Sequence, residues 1–128
     1  MGFKRNRRKL ARYGVGSLRA SLHCQGLLGL FPNQMDVTPI DFNVTGMAFR
    51  HSRLLSPGQP VVFDLVKDQL KIQSIVGIVR YCKQLENHFR CGIEFDFDAN
   101  EHMRSQDVKD ILLAIEKVLN EVVILAAE

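Results

Sequence analysis

The chain has 128 residues, 46% of them apolar and 24% charged, which is ordinary for a globular domain and enough to remove about two thirds of its unfolded surface from water without disulfides or metal. No apolar run reaches the roughly 18 residues a helical membrane span requires, so no membrane span is expected. The net charge of +3 is uneven: six of the 17 basic residues (Lys4, Arg5, Arg7, Arg8, Lys9, Arg12) lie in the first twelve positions, leaving 11 basic against 14 acidic in the remainder, a balance that argues against a broad basic nucleic-acid face on the body and against DNA as a partner.

Residues 1–12 hold little apolar content beyond Phe3 and Leu10 and read as a flexible basic arm. Within it, Arg8 and Arg12 are spaced so that a loop can converge two guanidinium forks on one ligand, through phosphate oxygens or the Hoogsteen edge of guanine. A solvated basic leader is the simpler alternative. No apolar stretch follows Arg7-Arg8, and Asn6 stands where a myristoylation start needs Ser or Thr, so neither an export nor a lipidation signal is expected. With three cysteines, Cys24, Cys82 and Cys91, and no C-x-x-C, the expected compartment is the cytoplasm.

Residues 13–98 are predicted to form the barrel. Leu18, Ala20, Leu22 and Cys24 alternate after a parity change from Tyr13 and Val15, which reads as a bulged first strand. Residues 25–34 read as a loop, and Met35 to Asp41 as a second strand with Pro39 at an edge or bulge. Strands over Met47 to His51 and around Val61, Phe63 and Leu65 follow, separated by Ser56-Pro57-Gly58. The run from Leu70 to Lys83 is predicted to be a strand bent near Gly77, and Phe89, Cys91, Ile93 and Phe95 alternate with polar residues in the plainest strand of all. Pairing Gln84 with His88 sets Tyr81 opposite Cys91 and Val79 opposite Ile93, placing Cys82 on the other face and disfavouring a Cys82–Cys91 disulfide.

From about His102 the period becomes helical. Val108, Ile111, Ile115, Val118, Val122 and Leu125 form a stripe widened by Leu112, Leu119 and Val123. Residues 99–128 are thus expected to be a helix that covers the barrel mouth or joins subunits in a homo-oligomer. The expected architecture is mainly β, a six-stranded antiparallel barrel with a C-terminal helix.

Catalytic signatures are lacking. There is no G-x-S-x-G, no phosphate-loop motif and no H-E-x-x-H; the four histidines are scattered, and Glu94, Asp96 and Asp98 read as the wet side of a strand. No enzyme, cofactor or metal site is expected. The segment Asp41-Phe42-Asn43-Val44-Thr45-Gly46 is more informative, because it presents a carboxylate and an amide at one rim. Asp41 can accept from guanine N1–H and N2–H, Asn43 can donate or accept, and Gly46 admits a flat ring. An Asx turn that merely joins two strands is the alternative.

Together, Arg8-Lys9-Leu10-Ala11-Arg12 and Asp41-Phe42-Asn43-Val44-Thr45-Gly46 resemble the paired R-x-x-x-R and [DN]-x-S-x-x-G motifs of the PilZ domains, bacterial receptors for cyclic diguanylate (cyclic di-GMP). Asn43 stands where the family usually has Ser. The likeness continues through Leu55-Ser56-Pro57-Gly58-Gln59, Gly77-Ile78-Val79 and Cys91-Gly92-Ile93-Glu94-Phe95. The resemblance implies that Arg8 and Arg12 grip phosphates and guanine edges, that Arg7 allows a stacked pair of ligand molecules, and that Asp41, Asn43 and Gly46 hold one guanine. It also implies a cyclic di-GMP adaptor whose ordered arm signals to a protein effector; a PilZ-like interaction module that binds the nucleotide weakly or not at all is the second reading.

Overall fold

The computed structural model describes residues 18–23 and 34–127, with side chains of the last helix through Leu119. Arg7, Arg8, Arg12, Tyr13, Val15, Cys24 and the loop at 25–33 lie outside the described residues, as do the side chains of Val122, Val123 and Leu125.

Six strands run in chain order: β1 (Arg19–His23), β2 (Gln34–Asn43), β3 (Gly46–His51), β4 (Pro60–Lys67), β5 (Leu70–Gln84) and β6 (Phe89–Phe95). All pairings are antiparallel, and the sheet closes in the order β1-β2-β3-β6-β5-β4. Closure leaves no edge strand, so the proline in β2 is accommodated at a register shift between Pro39 and Asp41. Alternation drives the inside: Ala20 and Leu22 from β1 and Val61, Phe63 and Leu65 from β4 are all buried, as expected from their spacing. Phe95 packs against Phe42 and Phe63, with ring centroids 5.8 and 5.7 Å away, and knits β2, β4 and β6 together at the centre.

The helical segment divides in two. A short α1 (Glu101–Arg104) is capped by Asn100, whose side chain accepts from the Met103 N–H at 2.8 Å, and Ser105 separates it from α2 (Gln106–Ala127). Met103, Val108, Leu112, Ile115 and Leu119 are fully buried in the same core as the barrel strands, so the helix packs on the barrel. The buried stripe differs from the expected one: Ile111 and Val118 lie only half-buried at its margin, while Leu112 and Leu119 form its centre. Both sets obey a 3–4 spacing, and contact with β2 and β5 selects between them.

The β5–β6 register keeps the expected Val79–Ile93 pair but departs from the sequence-based one toward the hairpin. Gln84 pairs with Phe89, Cys82 with Cys91, Tyr81 with Gly92 and Val79 with Ile93, so Arg80 is an extra residue in β5. That bulge reverses the facing of everything between it and the hairpin: Tyr81 moves to the outer surface, and Cys82 comes opposite Cys91 with the sulfurs 2.8 Å apart. A second irregularity sits at Ser74, whose φ of 58° is held by its N–H donating to Asp64 Oδ1 at 2.9 Å. Strand β6 stops at Phe95, so Asp96 and Asp98 leave the sheet and do not extend a strand face with Glu94.

Candidate ligand-binding cleft at the turn between β2 and β3

Val44 and Thr45 form the two-residue turn that joins β2 to β3, with Asn43 and Gly46 paired across its base. The Asn43 Oδ1 accepts three hydrogen bonds, from Thr45 N at 2.8 Å, Thr45 Oγ1 at 2.6 Å and Gly46 N at 3.0 Å. This is an Asx turn, and it leaves the Nδ2 amide as the hydrogen-bonding part of the side chain able to face a ligand. Two longer connections fix the turn to the rest of the molecule. The Val44 N–H donates to Glu116 Oε2 of α2 at 2.7 Å, and the Phe95 N–H of β6 donates to Thr45 O at 2.9 Å.

Gly46 is dictated by its neighbour. A Cβ there would lie 2.3 Å from the carbonyl oxygen of Ile93, a backbone atom held in the β3–β6 ladder. The glycine therefore serves barrel closure whether or not a ligand is present. Asp41, two residues before Asn43, accepts from Ala48 N at 3.1 Å through Oδ1 and lies 3.5 Å from the Arg90 guanidinium through Oδ2. Its carboxylate is oriented by the barrel and shared with a cation.

Asp41, Asn43 and Gly46 line one cleft of about 330 Å3 on the outer wall formed by β2, β3, β6 and β5. The structure thus brings together the second half of the sequence-predicted site. Arg7, Arg8 and Arg12 belong to the part outside the described residues. Across the cleft stand three side chains that sequence reasoning did not select: Arg80, Tyr81 and Arg90. Arg80 is ion-paired with Glu94. The Tyr81 ring is 43% exposed and lies over Gly92, where a Cβ would come within 2.1 Å of the ring. Sequence alternation could not have found Tyr81, because it continues the odd-numbered pattern of Ile75, Gly77 and Val79, and only the strand pairing reveals the extra residue before it.

The chemistry available is recognition. Two guanidinium groups, two carboxylates, an amide and an exposed ring suit a flat polar ligand that both donates and accepts hydrogen bonds. Among the described residues no three His, Cys, Asp or Glu side chains are grouped to hold a metal ion.

A closed six-stranded barrel with a helix packed on it and a polar cleft at one turn defines a ligand-binding or adaptor domain. A family model for the PilZ domain matches residues 6–113, and the chain belongs to that family. PilZ domains bind cyclic di-GMP and act as binding and adaptor domains rather than as enzymes. Among solved structures, the fold is similar to that of K. pneumonia MrkH in its apo state, at 15% identity and a TM-score of 0.62, covering 88% of this chain and 47% of that one. The chain therefore spans about half the length of MrkH. No curated protein matches. No helix among the described residues is long and apolar enough to cross a membrane.

Proposed function

We propose that this protein is a cytoplasmic cyclic di-GMP receptor whose basic arm closes over the cleft at the β2–β3 turn. Arg8 and Arg12 grip phosphates and guanine edges, Asp41 accepts from one guanine, and the Nδ2 amide of Asn43 donates to it. Arg7, preceding the first motif arginine, supports a second, stacked ligand molecule. The ordered arm and bound nucleotide together form the surface a protein effector reads. The observation that carries this reading is the cleft, in which Asp41, Asn43 and Gly46 stand together beside two guanidinium groups. Its volume of about 330 Å3 is at the low end of the ~300–1,000 Å3 typical of ligand pockets, so it suits one base, and the arm must enclose the rest. Arg80 and Arg90, ion-paired with Glu94 and Asp41, offer guanidinium donors on the barrel side that the ligand can share with those carboxylates.

The test is a calorimetric titration of cyclic di-GMP into the protein, for which saturable binding is expected. The absence of saturation, with circular dichroism showing a folded protein, would overturn the proposal. One observation favours the second reading, an interaction module that has lost the nucleotide: the Asn43 oxygen is fully engaged by its own turn. Under that reading the protein binds its effector equally well with and without cyclic di-GMP. A homo-oligomer through α2 would have to use a face other than Val108, Leu112, Ile115 and Leu119, which are buried in the core.

A further inference from the structure

We infer that Cys82 and Cys91 are a cross-strand dithiol, a modification site that an oxidant converts to an intramolecular disulfide within the folded barrel. The two residues are direct partners in the antiparallel β5–β6 ladder, and both thiols are free with their sulfurs 2.8 Å apart. Directly opposed antiparallel residues have Cα atoms about 4.5 or 5.5 Å apart, and both spacings fall inside the ~4.4–6.8 Å range of disulfides. A sulfur–sulfur bond of about 2.05 Å thus lies less than 1 Å from the present approach and asks for side-chain rotation without a change of register.

The surroundings set the order of events. Cys82 is half-buried and within reach of a small oxidant, whereas Cys91 is fully enclosed. The Leu55 N–H points at Cys82 Sγ from 3.4 Å and helps fix the sulfur beside its partner. Burial, reinforced by Cys82, pushes the Cys91 thiol up to about 12, so it is a poor first nucleophile and a resolving thiol instead. With a peroxide as oxidant, the Cys82 thiolate attacks one peroxide oxygen, giving the sulfenic acid and hydroxide, which is protonated to water. Cys91 Sγ then attacks Cys82 Sγ, the sulfur–oxygen bond breaks, and the departing hydroxide takes the Cys91 proton as a second water. Two thiols and one hydrogen peroxide yield one disulfide and two waters.

The bond would join the strands beside the Arg80 bulge, one residue from Tyr81 and one from Gly92, both on the cleft wall. The inference does not depend on which ligand that cleft takes. It is tested on the full chain carrying Cys24→Ser, so that only the pair remains, by titration with hydrogen peroxide, unfolding, alkylation with iodoacetamide and intact-mass measurement. The expected result is loss of two hydrogen masses with both thiols becoming unreactive, a Cys82–Cys91 linked peptide on digestion, and full reversal by dithiothreitol. Adding Cys82→Ser, a change at the half-buried partner, should abolish the loss while circular dichroism still reports a folded barrel. Two alkylatable thiols after peroxide treatment, or Cys82 advancing to the sulfinic acid with Cys91 still alkylatable, would overturn the inference.

Discussion

Asn43 is the position at which turn geometry and ligand recognition can be separated. Asn43→Ala removes the oxygen that accepts from Thr45 N, Thr45 Oγ1 and Gly46 N. Each such bond is worth about 0.5–1.5 kcal/mol net, and the three share one oxygen at an exposed turn where water can replace it, so the total should be about 1–2 kcal/mol. The turn keeps its connections to Glu116 and to β6, so the barrel should remain folded. Urea unfolding should show a lowered midpoint with an unchanged slope. Asn43→Asp retains the acceptor and should preserve stability within about 0.5 kcal/mol. It places a negative charge in a cleft proposed to receive a dianionic ligand, where a repulsion of about 1–3 kcal/mol at an effective dielectric near 20 lowers affinity by roughly fivefold to 150-fold. Unchanged stability in Asn43→Ala would refute the structural role of the turn oxygen. Undiminished cyclic di-GMP affinity in Asn43→Asp would refute the proposed seating of the nucleotide against Asn43.

Other substitutions probe what holds the cleft in place. Gly46→Ala forces a Cβ to 2.3 Å from Ile93 O; because the neighbour is backbone, a loss of about 1–3 kcal/mol is expected in a denaturant melt even without ligand. Glu116→Ala deletes the acceptor for Val44 N at 2.7 Å and should lower stability by about 1–3 kcal/mol, with Glu116→Gln recovering most of it. His51 is buried, and burial followed by the nearby Arg53 lowers its pKa from the ordinary 6.5. A depressed histidine binds its proton more weakly in the folded state than in the unfolded one, so its stabilising effect is complete above 6.5 and is lost as pH falls below it. Unfolding free energies measured across that window should fall more steeply in the native protein than in His51→Gln.

The strands and the covering helix were legible because alternation in segments such as Val61-Phe63-Leu65 and Phe89 to Phe95 directly reports which side faces the core. The turn between β2 and β3 was legible because D-x-N-x-x-G is local in sequence, whereas the arginine half lies outside the described residues. Facing was harder to read wherever a strand carries an extra residue. The bulges at Ile40, at Ser74 and at Arg80 have no compositional signature of their own, yet each reverses the pattern beyond it. Tyr81 and Cys82 were misplaced for that reason, and the outward Tyr81 and the opposed cysteines emerge only with the register. Arg80 and Arg90 belong to the cleft through pairing across β5, β6 and β3, a relation between segments far apart in the chain. The seat of α2 likewise depends on which part of a wide apolar surface the barrel mouth accepts.

The central claim is that the arm and the turn act on one nucleotide. Calorimetric titration of cyclic di-GMP into the native protein and into Arg12→Ala, each first shown to be folded by circular dichroism, tests it most directly. The account predicts saturable binding by the native protein and none by the variant; equal affinity in the two would contradict it.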